Sequence, residues 1–125
     1  MRAWFVNKGT RIETLRAARE LASFADRRLQ WLLSYFDEVT LPAGTTIARE
    51  GARCSEFVVV MGGRLTSTTP SGGSRTLLAG DTFGWKAMWE RESNSATVVV
   101  EDDARLLVMG HSQFRAVKAL GDIPA

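Results

Sequence analysis

Residues 83–97 read FGWKAMWERESNSAT, and this stretch decides how the rest of the sequence is interpreted. Gly80-Asp81 ends the preceding apolar run, and Gly84 permits a close backbone approach that a Cβ atom would block. Residues 85–89 have a helical composition but form little more than one turn. A glycine that leads into a short helix leaves backbone N–H groups unpaired at the positive end of the helix dipole. The stretch therefore predicts a backbone cradle for an anion.

Length, charge and cysteine usage describe one ordinary globular domain. The chain has 125 residues, enough for a single core but not for two. Its formal net charge of +2 is spread without any long basic block, so we expect no nucleic-acid and no membrane partner. No apolar run approaches the roughly 20 residues of a membrane span. The single cysteine, Cys54, cannot form an intramolecular disulfide, and the N-terminus lacks the apolar region of a signal peptide, which together predict a cytoplasmic location.

The N-terminal third predicts an arm followed by helices. Residues 1–9 contain Trp4 and Phe5 without periodicity, and we expect them to form an N-terminal arm. Residues 10–36 repeat apolar side chains at three- and four-residue steps, which predicts two helices at the start of a single domain spanning 10–125. Exposed apolar surface on the arm or on the first helix would support a homodimer.

The pattern changes from helical to extended at about residue 36. Up to about residue 109, β-rich runs of about five residues alternate with turn residues. We place one of these turns at Gly62-Gly63 and another, an acidic hairpin turn, at Glu101-Asp102-Asp103. A last helix follows at about His111. This order predicts a mainly β fold with flanking helices, built as an antiparallel jelly roll.

Four segments of strand and turn residues follow the two short helices in a specific order. They read LPAG-TTIAREG, EFVVVMGGRL, LLAGDTFG and SATVVVEDDARLLVM. Over about residues 24–120 the chain resembles the cyclic nucleotide-binding domain of catabolite-activator-type regulators, kinase regulatory subunits and some ion channels. The turn glycines of that family match Gly44, Gly51, Gly63, Gly80 and Gly84. The resemblance implies a double-stranded β-helix with two N-terminal helices, a short cassette helix and a C-terminal helix.

The same resemblance implies that the opening stretch is the family's phosphate-binding cassette. In the family, a glutamate of this cassette accepts a hydrogen bond from the ribose 2′-hydroxyl, and an arginine pairs with the cyclic phosphate. The positions that agree with the family pattern are Phe83, Gly84, Ala87, Ser95, Ala96 and Val98.

Three cassette positions depart from the family pattern. Trp85 stands in the glutamate position, Lys86 in a leucine position and Asn94 in the arginine position. Indole has no hydrogen-bond acceptor, and an asparagine amide has no charge, so both polar contacts to a cyclic nucleotide are lost. Lys86, or Arg91 from the following loop, would be the replacement for the arginine. Trp85 would either plug the ribose space or stack on a different flat ligand.

Two functions follow from these departures. The first is a stand-alone, non-catalytic regulatory or protein-interaction module with a degenerate cassette. We expect this function because the sequence ends soon after the last helix, without the family's lid helix. Its protein partner is not specified by any motif. The alternative is a sensor that binds cyclic AMP, cyclic GMP or another anionic ligand through Lys86 or Arg91 and backbone amides. His111 and Cys54 have no partners at metal-ligand or catalytic spacing, so we expect no metal, no resident cofactor and no enzyme activity.

Overall fold

The structure is a computed structural model that describes residues 8–120. Its helices are α1 (Lys8–Ala17), α2 (Asp26–Leu33), α3 (Trp85–Glu90) and α4 (His111–Leu120), with a 3₁₀ turn at Arg19–Leu21 after α1. Its strands are β1 (Asp37–Leu41), β2 (Thr46–Ala48), β3 (Glu56–Thr68), β4 (Ser74–Leu77), β5 (Thr82–Phe83) and β6 (Thr97–Gly110). The predicted mainly β fold, with two N-terminal helices, a short cassette helix and a C-terminal helix, is confirmed.

Two long strands, β3 and β6, hold the sheet together. They pair antiparallel along almost their whole length, and β1, β2, β4 and β5 each pair with a part of one of them. The β3–β6 register shifts between Val60 and Leu65. Because such bulges bend a strand and increase its twist, the two strands turn together at this point and continue into the second half of the jelly roll.

The predicted turns at Gly62-Gly63 and at Glu101-Asp102-Asp103 are wrong, since both lie inside continuous strands. Gly63 has a φ of 87°, and a Cβ atom there would lie 2.4 Å from the backbone oxygen of Asp103. The glycine therefore serves the close approach of two bent strands rather than a reversal of the chain.

The core has two parts, separated by the sheet. In β3, Phe57, Val59 and Met61 pack into a cluster with the helices, whereas Val58 and Val60 pack into a second cluster between the strands. Alternate side chains of a strand point to opposite faces, so the continuous apolar run is buried on both sides.

The first helix begins earlier than expected. α1 starts at Lys8, two residues before the predicted start of the helical region at residue 10. Trp4 and Phe5, assigned to the arm, lie outside the described residues. Within residues 8–120, no helix combines the length and the hydropathy needed to cross a membrane.

Candidate functional site

The cassette helix α3 begins where the backbone makes a very close approach. Gly84 precedes it with a φ of 95°, and a Cβ atom at Gly84 would lie only 2.2 Å from the carbonyl oxygen of Glu56. The close approach expected from the sequence is thus confirmed. The helix is six residues long and ends at Glu90, and the next residue, Arg91, has a φ of 58° that is unusual for a residue other than glycine.

The indole ring of Trp85 belongs to an aromatic cluster under the cassette helix. Its centroid lies 4.9 Å from that of Phe57 and 5.4 Å from that of Phe114, both edge to face, and 6.0 Å from the stacked ring of Trp89. Only 9% of Trp85 is exposed. The ring therefore fills core volume, and the residue also borders the cavity beside the cassette.

A cavity of about 850 Å³ lies beside the cassette, in the size range of small-molecule sites. Its wall includes all of the cassette positions singled out from the sequence. They are Phe83, Gly84, Trp85, Lys86, Ala87, Asn94, Ser95 and Ala96. The fold thus brings both halves of the cassette to one cavity.

The Lys86 ammonium is engaged by carboxylates of the cassette itself. The side chain is 78% exposed, and its Nζ atom lies 3.3 Å from Oε1 of Glu90 and 3.6 Å from Oε1 of Glu92. The hydrogen bond and charge of Glu90, and then those of Glu92, raise the pKa of Lys86. An anion in the cavity would have to compete with these two carboxylates for the lysine.

Asn94 is used to hold the preceding loop in place. Its side-chain Nδ2 donates a hydrogen bond of 3.0 Å to the carbonyl oxygen of Arg49. Its backbone N–H donates to the carbonyl of Ala52 and its carbonyl accepts from the N–H of Gly51, at 2.8 and 2.9 Å. The amide that replaces the family's arginine thus bonds to protein backbone.

Two basic residues that sequence reasoning missed also line the cassette cavity. Arg19 comes from the 3₁₀ turn after α1, and Arg75 comes from β4. Neither guanidinium has an ion pair or hydrogen bond to any residue that the structure describes. The nearby Glu20 also lines the cavity, and its carboxylate accepts hydrogen bonds from Oγ1 of Thr82 at 2.8 and 2.9 Å.

Arg91, the other proposed replacement for the arginine, lies on a different cavity. This second cavity measures about 450 Å³ and is formed by the end of α3, the first turns of α4 and residues 53–55. Arg91 is absent from the described wall of the cassette cavity. The sequence could not separate the two cavities, because Arg91 is only three positions from Asn94 along the chain.

The described residues contain no group of three or more His, Cys, Asp and Glu side chains arranged to hold a metal ion. Cys54 is a free, buried thiol whose pKa is raised by burial.

Comparison with known families gives one match. The family model of the cyclic nucleotide-binding domain matches residues 38–119. The match runs from β1 to the last turns of α4, and it includes the whole cassette.

Solved structures share the fold at low sequence identity. The regulatory domain of protein kinase A from Toxoplasma gondii, co-crystallised with cAMP, is 24% identical with a TM-score of 0.76, over 92% of this chain and 47% of that one. A protein of Silicibacter pomeroyi DSS-3, proposed to be a cAMP-binding regulatory protein, is 15% identical with a TM-score of 0.75, over 92% of this chain and 56% of that one. The N-terminal domain of a transcriptional regulator from Streptomyces coelicolor A3(2) is 24% identical with a TM-score of 0.72, over 86% of this chain and 79% of that one. The chain spans about half the length of the first two proteins, and at these identities the likeness is one of fold.

Proposed function

The chain belongs to the cyclic nucleotide-binding domain family, and on that premise we propose that it is a non-catalytic regulatory or protein-interaction module that does not bind cyclic AMP in the family's usual way. The likeness to a kinase regulatory domain and to the N-terminal domain of a transcriptional regulator supports a regulatory role. The free thiol of Cys54 is consistent with work in the reducing cytoplasm.

The observation that carries this proposal is the bonding of Asn94. In the family an arginine at this position would give a phosphate a charged, bidentate partner. Here the side chain carries no charge, and one of the two N–H donors of Nδ2 is already used on the carbonyl of Arg49. Leaving a phosphate charge without its partner in such a pocket costs about 2–5 kcal/mol, or about 30-fold to several thousand-fold in Kd.

The position of Trp85 points in the same direction. The 2′-hydroxyl of a ribose needs an acceptor, and indole offers none. The ring is also fixed by Phe57 and Phe114, so moving it aside would expose the core cluster. Both polar contacts of the usual cassette are therefore replaced by contacts within the protein.

Calorimetric titration with cyclic AMP and cyclic GMP tests the proposal. We expect no saturable binding tighter than about 10 μM. An Asn94→Arg variant should gain at least about tenfold in affinity, because it returns the charged partner. Asn94→Gln is the matched control, since it changes the bond to Arg49 without adding charge. Tight, stoichiometric binding by the parent chain would contradict the proposal.

The second candidate function is binding of an anionic small molecule in the cassette cavity by residues outside the family pattern. It is favoured by Arg19 and Arg75, whose charges are not paired with any described side chain and which line the same wall as Lys86. A guanidinium presents a planar fork that suits phosphate or carboxylate. The ligand would then lie in the cavity in a different orientation from that implied by the cassette arginine.

Variants of the cavity wall separate this candidate from the first. Under it, Arg75→Gln and Lys86→Ala should each weaken binding of any anionic ligand found by titration, by about tenfold or more for the arginine. Arg27→Gln, an exposed change on α2 away from the cavity wall, is the control. Equal affinity of Arg75→Gln and the parent would remove this mechanism.

A further inference from the structure

The second cavity lies between the end of the cassette helix and the C-terminal helix. It has a volume of about 450 Å³, and its wall includes Arg53, Arg91, Arg115, Lys118 and His111. We propose that this cavity is a second binding site, independent of the cassette cavity, for a small phosphate compound with more than one negative charge.

The charge of the wall supports an anionic ligand. Three guanidinium groups, those of Arg53, Arg91 and Arg115, have no ion pair or hydrogen bond to any described residue. The acidic side chain in the wall is that of Glu92, whose Oε1 faces Lys86 at 3.6 Å. Positive charges around one cavity repel each other, and an oxyanion that accepts hydrogen bonds from two or three guanidinium groups relieves that repulsion.

Lys118 adds a cation whose position is fixed. Its Nζ donates a hydrogen bond of 3.3 Å to the carbonyl oxygen of Trp89 and lies 4.5 Å from the centroid of the Trp89 ring. These contacts use one of three donors of the ammonium group, so two remain for a ligand oxygen. The lysine thus provides a preorganised charge at the edge of the cavity.

A buried polar atom in the same wall lacks a partner. Nε2 of His111 is shielded from solvent and makes no hydrogen bond to the described residues. A buried imidazole nitrogen without a partner is costly, and each imidazole nitrogen can serve as donor or acceptor. Because Nε2 is shielded even from water-sized atoms, a ligand oxygen would reach it only if the imidazole ring turned toward the cavity.

Arg91 occupies a backbone position at which arginine is disfavoured. It directly follows α3 with a φ of 58°, in the left-handed region where glycine or asparagine is usual at the end of a helix. Strain of this kind is retained where the side chain has a use. Arg91 is also one of the residues that line the second cavity.

Titration of the full chain with inorganic pyrophosphate tests the site. We expect calorimetry to show saturable 1:1 binding with a Kd below about 1 mM at low salt. Arg115→Gln and Arg53→Gln should each weaken this binding by about tenfold or more. The matched control, Arg27→Gln on α2, should change it by less than about twofold.

His111 gives the experiment a local readout, because it is the single histidine of the chain. Its imidazole ¹⁵N and ¹H signals should shift during the titration with the Kd that calorimetry gives. Citrate, a carboxylate of similar charge, should bind at least about fivefold more weakly if the site selects phosphate. Absence of saturable pyrophosphate binding, an unmoved imidazole signal, equal binding of citrate, or equal weakening by Arg27→Gln would each overturn the proposal.

Discussion

Replacement of Trp85 by alanine should destabilise the domain severely. The indole is 9% exposed, and its centroid lies within 6.0 Å of three other aromatic rings, so the change deletes a ring from the cluster that joins α3, α4 and β3. Truncation of a buried tryptophan costs about 3–5 kcal/mol, and each aromatic pair adds about 0.5–1.5 kcal/mol within that total. Because Trp85 also lines the cassette cavity, neighbouring groups have room to relax, and we expect a loss of about 3 kcal/mol.

Urea denaturation followed by circular dichroism measures this loss. With a slope of about 2 kcal/mol per molar urea, the midpoint should fall by about 1.5 M. Trp85→Phe keeps an aromatic ring and should lose less than half as much. Trp31→Ala is the matched control, since Trp31 is half-buried and its one described ring partner is Tyr35 at 5.2 Å. If Trp85→Ala costs about 1 kcal/mol or less, or no more than Trp31→Ala, the ring does not hold the cassette helix and the reasoning fails.

Two further predictions concern the backbone and the thiol near the cassette. Gly84→Ala should lower the free energy of unfolding by at least about 3 kcal/mol, whereas Gly72→Ala should lower it by about 1–2 kcal/mol. Both glycines have a φ above 90°. The added Cβ atom would lie 2.2 Å from the Glu56 carbonyl oxygen at Gly84, but it would meet nothing within 4 Å at Gly72. Equal losses in urea denaturation would refute the proposed clash. Burial raises the pKa of Cys54, so the native thiol should react with Ellman's reagent at pH 8 far more slowly than the denatured chain does. The folded protein also keeps this proton at a pH where the unfolded chain has lost it, so the free energy of unfolding should fall as pH rises above about 9. Rapid reaction of the native thiol with Ellman's reagent, or a free energy of unfolding that rises over this pH range, would contradict the raised pKa.

The order of helical and extended regions could be predicted from the sequence, because periodicity and turn residues act locally. The nature of the turns could not. A glycine pair between apolar runs looks the same whether it reverses the chain or lets two strands approach, and the deciding atom at Gly63 is the backbone oxygen of Asp103, 40 residues away. Asp102 was likewise assigned to a turn, because its partner in the neighbouring strand is distant in the sequence. In the structure Asp102 lies within β6, and its carboxylate accepts a hydrogen bond of 3.1 Å from Nε of Arg64.

The candidate site could likewise be predicted only where its residues are close together in the sequence. The cassette could be located because its residues are close in sequence and match a family pattern, and the fold brings them to one cavity. Arg19 and Arg75 come from separate elements, 56 positions apart, and no local pattern connects them. The direction in which Trp85 points was also hidden, because Phe57 and Phe114, which hold the ring, lie in distant strands and helices.

The preserved shape of the cassette needs no ligand to explain it. Gly84 is required by the approach of the Glu56 carbonyl, Trp85 by the aromatic cluster, and Asn94 by the loop that it bonds. A six-residue helix is too short to be stable alone, so its position depends on this packing. The side chains matched to the family's glutamate and arginine positions contact other parts of this protein: Trp85 contacts Phe57 and Phe114, and Asn94 bonds to the carbonyl of Arg49. Similarity of backbone therefore establishes the fold of this site, whereas its ligand must be inferred from the side chains. Those direct attention to the arginines of the two cavities, which make no ion pair with any described residue.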